Sequence, residues 1–555
     1  MSTPVSGKDV SPAGRAETLD SSEARSFLGA GFRVVSLCTL ASRILGLLRD
    51  MAMAALFGAG PVLDAFTVAF RLPNLARRLF GEGALTTAFL PVFVEELQSD
   101  DPDGARRVGT GVFFALAGVL ALLVGVAEAV IGAALLTLSL SADARLLLEL
   151  VAILSPYLVL ICLAAQVSAM LHALKHFFWP ALLPVVLNLA WLAAVAVAAT
   201  KVETSVTQIR VISLVVVLAG VIQLLVVLAA LRARGFRFTW NARAARPQVR
   251  RVFAAMLPIV VGLSITQFNA ALDSLLAWLL AEPPPGTVSG ASWIPQLVES
   301  GTASALYFGQ RMYQFPLGVF GVALGTVLFP LLAEHAQRGD RAAVRSDLSY
   351  GVRLAIAIGL PSSAGLYVLS GPITSLLFQH GRFTEADAAL TSQMVAVYGA
   401  AVWASIGLLI IHRGYYALGD RTTPVRIGLL AVAVNLALNL ILVCSLGGVG
   451  LALATALAAA VQCILAAVML QQRTGSLDWA AIASTGGKTL LATLLMTAAC
   501  VVVRPSLTTS ATIADRLVAV AAPMIAGAAV YLAAARAVRL REPWTLISRG
   551  SLPAE

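Results

Sequence analysis

The sequence is a succession of apolar runs, most of them long enough to cross a bilayer at about 20 residues apiece. In lipid each such run must satisfy its own backbone hydrogen bonds, which a helix does. The charged fraction is 12% and mean hydropathy is +0.87, outside the range of soluble globular chains. The fold class is therefore an all-α polytopic membrane protein. Spans are expected near residues 30–57, 62–97, 109–140, 147–171, 178–200 and 210–231, forming one six-helix lobe. A second six follows near 251–281, 303–334, 350–378, 388–418, 423–445 and 448–470, then a pair near 486–504 and 514–538, fourteen in all. Pro73, Pro91, Pro316 and Pro330 lie inside long runs and predict bent helices.

The corresponding division is a disordered cytoplasmic tail (1–29), an N-lobe (30–232), a basic cytoplasmic linker (233–250), a C-lobe (251–471), a C-terminal helix pair (484–540) and a cytoplasmic tail (541–555). The N-terminal tail mixes both charge signs with Pro and Ser, which fits neither a signal nor a transit peptide. Arg232, Arg234, Arg237, Arg243, Arg246, Arg250 and Arg251 mark the loop after the sixth span as cytoplasmic, and parity places both termini inside. The segment from Glu282 to Gly301 has no basic residue and many Pro and Gly, the mark of an external loop. The net charge of +10 has a topogenic explanation, so nucleic acid is not an expected partner. Cys38, Cys162, Cys444, Cys463 and Cys500 are odd in number and widely spaced, consistent with packing residues rather than disulfides or a metal knuckle.

An internal repeat relates the lobes. Phe80-Gly81, Ala84-Leu85, Thr87, Phe89, Pro91 and Glu95 recur as Phe320-Gly321, Ala323-Leu324, Thr326, Phe329, Pro330 and Glu334. Ala173-Leu174, Pro180 and Asn188-Leu189 recur as Ala417-Leu418, Pro424 and Asn435-Leu436. The shift is an even number of spans, so both lobes cross in the same sense, as in alternating-access transporters with a site between parallel repeats.

Charges inside the spans point to that site. Each costs roughly 2.5–3.5 kcal/mol at a helix centre, against about 0.3–0.6 recovered per Leu, Ile or Val. In SRILGLLRD, Arg43, Gly46 and Asp50 share a helix face at i, i+3 and i+7, with Arg49 beside them and Gly46 permitting close approach. The bland alternative has Arg49 and Asp50 snorkelling to an interface or pairing at a helix junction. The next span adds Asp64, Arg71, Arg77, Arg78 and Glu82 around Pro73, and of Arg77 and Arg78 one is expected to be structural. Arg311 stands alone in the second lobe. The interior is net cationic, so an anionic ligand is expected, a phosphate or diphosphate head group above all. Asp273, with Asn435 and Asn439 at i and i+4 of one span, offers oxygens for Na+ or a protonatable site for H+; interhelical amide bonding is the alternative. His172, His176, His335, His380 and His412 show no catalytic spacing, and neither a phosphate loop nor a nucleophile elbow occurs, so an enzyme is not expected.

SRILGLLRD, FGAG, DAFTVAFRLPNLARRLFGEGALTTAFLP, QRMYQFPLGVFGVALGTVLFPLL, GRFTEADA and YYALGDRTTPV closely resemble the MurJ/MviN lipid II flippases, over about residues 30–470. The resemblance implies a MATE-like fold of the MOP superfamily, two lobes around a central cavity and a C-terminal pair forming a lipid-tail groove. It implies substrate-binding roles for Arg43, Arg49, Arg77, Arg311 and Ser304, gating or positioning roles for Asp50, Asp64 and Gly46, and a sodium site at Asp273, Asn435, Asn439 and Thr455. It favours Arg77 over Arg71, leaving Arg71 and Arg78 as anchors. Asn439 stands where a carboxylate can occur, Gln310 and Gln314 stand at positions acidic in some relatives, and the Glu282 to Gly301 loop looks longer than usual. The implied activity is translocation of undecaprenyl-diphosphate-linked disaccharide-pentapeptide to the outer leaflet of a bacterial cytoplasmic membrane. Expected partners are that glycolipid and membrane lipids, with cell-wall synthesis proteins left open and the chain a monomer. Rival readings are a flippase for another polyprenyl-diphosphate-linked oligosaccharide, a MATE-type drug/cation antiporter, which the cationic interior disfavours, and a non-transporting membrane scaffold.

Overall fold

The structure, a computed structural model, describes residues 21–101, 103–282, 295–504 and 512–547. The first lobe comprises α1 (Ser21–Phe57), α2 (Pro61–Ala76), α3 (Leu85–Leu97), α4 (Gly104–Thr137), α5 (Ala142–Ala173), α6 (Phe178–Lys201) and α7 (Ser205–Ala233). The second has α8 (Arg246–Leu279), α9 (Thr302–Pro316), α10 (Val322–Gln337), α11 (Arg341–Val368), α12 (Ser370–Phe378), α13 (Glu385–Ala400), α14 (Val402–Ala417), α15 (Thr422–Leu446) and α16 (Gly448–Thr474). The chain ends with α17 (Trp479–Val503), α18 (Ile513–Ala537) and the short α19 (Glu542–Ile547). No strand of more than an isolated bridge, Ala281 to Val298, occurs among the described residues.

Ten helical elements among the described residues are long and apolar enough to cross a membrane, eleven with the bent pair α13–α14 taken as one span. Two expected boundaries move. Helix α1 reaches back to Ser21, inside the tail expected over 1–29, and α8 begins at Arg246, inside the expected linker, which otherwise forms a 3-10 turn at Trp240–Ala245. The expected span 350–378 is two helices, α11 and α12. Residues 1–20, 283–294 of the expected external loop and 548–555 lie outside the described residues.

Local chemistry explains the breaks. Pro73 and Pro316 each precede a π-helical segment, Arg77–Ala84 between α2 and α3 and Leu317–Gly321 between α9 and α10. A proline removes one N–H and crowds the carbonyl four residues back, and a wide turn absorbs the misfit. Phe80-Gly81 and Phe320-Gly321 of the repeat both fall in these segments, so the repeat preserves a helix defect as well as its residues. The 40° bend between α13 and α14 has no proline; there the Trp403 N–H leaves the helical ladder for the Ser363 hydroxyl at 3.1 Å. Capping boxes at Thr384/Asp387 and Thr512/Asp515 start α13 and α18.

The largest apolar core is built from α1–α7 around Phe89, Phe93, Tyr157 and Trp191, and Phe308, Phe378 and Phe383 of the second lobe join it. Two further cores lie within the second lobe and a small one joins α17 to α18. The C-terminal pair packs on α11 and α12, where the Tyr531 hydroxyl donates to the Ala357 carbonyl and Arg516 donates to the Ser375 and Gln379 carbonyls.

Between α14 and α15, Asp420 Oδ1 accepts from the Thr422 N–H, the Thr423 N–H and the Thr422 hydroxyl, each at 3.0 Å, and its Oδ2 lies 3.1 Å from Arg473. Burial works to raise its pKa, but these hydrogen bonds prevail and hold the carboxyl down to about 2. The cap is thus fully present at neutral pH and is lost only as pH falls towards that value. Asp420→Ala is expected to lower stability by about 1–2 kcal/mol, read as a lower midpoint in thermal unfolding of the purified protein.

Candidate functional site

The Asp50 carboxylate of α1 sits where the lobes meet and is 4% exposed. Its Oδ1 accepts from Arg49 Nε at 3.1 Å and Nη2 at 2.7 Å, while Oδ2 accepts from Arg311 Nε of α9 at 2.9 Å. Two guanidinium groups, one from each lobe, therefore share one carboxylate. Arg49 is held on its other edge by Asn188 Oδ1 of α6 at 3.1 Å and lies 4.4 Å over the Trp191 ring. Asn188 in turn donates to the Ser42 carbonyl at 3.0 Å, and the Tyr307 hydroxyl stands 3.3 Å from both Arg49 and Asp50. A β-carbon on Gly46 would meet Asn188 and Arg311 at 3.6 and 3.9 Å, ordinary contact distances, so steric close approach is not what this glycine supplies. Arg43, exposed, lies against the second lobe's π-helical segment, where a β-carbon on Gly318 would stand 3.2 Å from its Nη1.

At the end of the bundle opposite the basic loop the lobes are sealed. Asp64 of α2 accepts from the Gly301 N–H and the Ser304 N–H, both at 2.7 Å, and from the Ser304 hydroxyl at 2.5 Å. It caps the N-terminus of α9, favourable ground for a negative charge. Ser304, expected as a substrate-facing hydroxyl, is instead fully buried and committed to Asp64. Beside it the Arg382 N–H donates to the Ala55 carbonyl at 2.8 Å and its guanidinium to the Ser205 hydroxyl at 2.7 Å. Gly301 (φ +93) and Gly381 (φ +59) are required there, since any β-carbon would run into the Ala59 or Ala55 carbonyl.

The remaining arginines divide otherwise than expected. Arg77 donates to Asn74 at 3.2 Å, within the first lobe, whereas Arg71 and Arg78, expected as membrane anchors, reach across to Gln310 of α9 at 3.0 Å and Gln267 of α8 at 3.1 Å. Seven residues separate Arg71 from Arg78, so both project from the face of α2 and its π segment that meets the second lobe.

Within the second lobe, Asp273 of α8 is fully buried and accepts from Asn439 Nδ2 at 2.7 Å and the Thr455 hydroxyl at 2.6 Å. Asn435 lies 3.1 Å from both Asn439 and Thr455, and the Asn439 Oδ1 is buried without a donor. The four residues named from sequence thus form one cluster of oxygen-bearing side chains. No group of three His, Cys, Asp or Glu arranged for a metal ion occurs among the described residues. Sequence reasoning missed Asn188, Trp191 and Tyr307, because a neutral amide and aromatic rings raise no alarm in an apolar helix; only the repeat pairing Asn188 with Asn435 carried a trace.

Two helical lobes meeting at a buried charged cluster define a membrane protein with a MATE-like fold. An inward-facing multidrug resistance MATE transporter of the MOP superfamily superposes with a TM-score of 0.62 at 12% identity, over 80% of this chain and 96% of the other. A lipid II flippase MurJ in an inward closed conformation superposes at 0.72 with 22% identity, over 93% of this chain and 99% of the other. The family model for the lipid II flippase MurJ matches residues 53–519. A probable lipid II flippase MurJ of Rhizobium tropici is 34% identical over 454 residues, 81% of each chain, and the lipid II flippase MurJ of Burkholderia cenocepacia is 31% identical over 448 residues, 79% of this chain and 83% of its own. The chain belongs to the lipid II flippase MurJ family, a family of transporters rather than enzymes.

Removing the shared carboxylate strands Arg49, which is 5% exposed, without its counter-charge. Asp50→Asn is therefore expected to destabilise the protein by about 3 kcal/mol or more, measured by thermal unfolding in detergent. The Asp50→Asn/Arg311→Ala double variant is expected to lose less than the sum of the singles.

Proposed function

We propose that this chain flips lipid II, the undecaprenyl-diphosphate-linked peptidoglycan precursor, from the inner to the outer leaflet of a bacterial cytoplasmic membrane by alternating access. The observation that carries the reading is the interface where Arg49 and Arg311, from opposite lobes, share Asp50 while Arg43 lies exposed beside the second lobe. Arg43, Arg49, Arg77 and Arg311 are the diphosphate-binding set; guanidinium forks match phosphate oxygens and hold their charge at any physiological pH. Asp50 positions two of them, and Asp64 with Ser304 forms the latch at the sealed end.

The reading takes fourteen crossings. Helix α1, the α2–α3 unit and α8, together with the ten apolar elements and the bent pair, make fourteen crossings, with the basic loop and both termini in the cytoplasm. The sealed end is then external. Moving an anionic head group outward is favoured by an inside-negative potential at roughly 2.3 kcal/mol per charge per 100 mV. Arg43→Ala and Arg311→Ala are each expected to cut lipid II flipping in reconstituted vesicles about tenfold or more, with folded protein retained in the membrane. Normal flipping by Arg43→Ala would remove its assigned role.

Asp273, Asn435, Asn439 and Thr455 offer a carboxylate, two amide carbonyls and a hydroxyl, a hard oxygen set suited to Na+, and the buried Asn439 oxygen is left over for such a partner. The ion would supply charge compensation for Asp273. Exchanging choline for sodium at constant ionic strength is expected to raise the thermal midpoint of the wild type and leave Asp273→Asn unmoved; equal response of both would assign no ion to this cluster.

A further inference from the structure

Arg71 lies near mid-helix on α2, about 15 Å along from its start at the sealed end. Its Nη1 donates to Gln310 Oε1 at 3.0 Å, yet its Nε and Nη2 are buried and meet no acceptor. Gln310 is 7% exposed and donates its amide to the Tyr398 hydroxyl at 3.2 Å, so the single acceptor given to Arg71 is neutral and fixed. The buried carboxylates hydrogen-bond elsewhere, Asp50 to Arg49 and Arg311, Asp273 to Asn439 and Thr455, and Asp64 to α9, so that Asp273 acts on Arg71 only through space. An arginine that only closes an interface satisfies the edge it presents, because a desolvated guanidinium with unmet donors is costly. Here the unmet pair is the side-on edge, Nε–H with Nη2–H, the fork that matches two oxygens of a phosphate or carboxylate. Gln310 adjoins Arg311 in α9, so Arg71 meets the same second-lobe helix whose arginine pairs with Asp50.

We propose that Arg71 is a further anion-binding residue of the translocation site, taking an oxyanion of the lipid head group on its Nε/Nη2 edge once the lobes part, with Gln310 as its positioning partner. The proposal rests on the flippase reading above. It is tested with purified full-length protein by measuring affinity for lipid II and for undecaprenyl diphosphate, which has no peptide carboxylates, alongside thermal stability. Arg71→Gln is expected to weaken binding about ten- to hundredfold with an unchanged or higher unfolding midpoint, and Arg71→Lys to recover part of the loss. Gln310→Glu, by giving Arg71 an internal carboxylate, is expected to weaken binding likewise while raising stability. Loss for both lipids assigns the oxyanion to the diphosphate; loss for lipid II alone assigns it to a peptide carboxylate. Unchanged affinity for both lipids in Arg71→Gln overturns the proposal while the flippase reading stands, as does weakened binding that comes with a lowered midpoint and is not reproduced by Gln310→Glu. A wild-type protein that binds neither lipid removes both.

Discussion

One carboxylate serves two lobes. Asp50 compensates Arg49 on its own helix and Arg311 on α9, and among the described residues no other acid forms an ion pair with either arginine. The arrangement desolvates Asp50 and Arg49 and leaves Arg311 partly exposed, which brings little net stability but strong directional preference. It therefore specifies how the lobes meet more than how tightly they hold. Under the proposed function an anion entering the site would compete with Asp50 for the same donors, so ligand binding and lobe contact would draw on one set of hydrogen bonds.

The two lobes carry variations on one plan. In each, a carboxylate on the first helix is approached by an asparagine on the helix that the repeat makes equivalent: Asp50 with Asn188 through Arg49 in the first lobe, Asp273 with Asn435 and Asn439 in the second. Arginines neutralise the first acid, whereas only hydroxyl and amide donors reach the second.

Much of the helical fold was legible, because charge-poor runs of bilayer length admit few alternatives; of the four prolines expected to bend helices, Pro73 and Pro316 precede the two defects, whereas α3 and α10 run through Pro91 and Pro330. The site was legible as far as its electrostatic cost: Arg49, Asp50 and Arg311 stood out as charges in the wrong solvent. Their neutral partners did not. Asn188, Trp191 and Tyr307 belong to the site only through tertiary placement, and Ser304 carries nothing local to say that its hydroxyl belongs to Asp64. Arg71 and Arg78 were misread as anchors because which helix face meets the other lobe is fixed by packing, and the broken span after Val368 left only Ser370-Gly371-Pro372 as a trace.

The seal at the far end is made largely of main chain against main chain, Gly301 and Gly381 lying directly on the Ala59 and Ala55 carbonyls. At those two glycine contacts there is no side-chain rotamer to flicker open, so they part only when whole helices separate. A protein that moves a bulky amphiphile across an energised membrane can in this way remain electrically tight between cycles, conducting nothing while it waits.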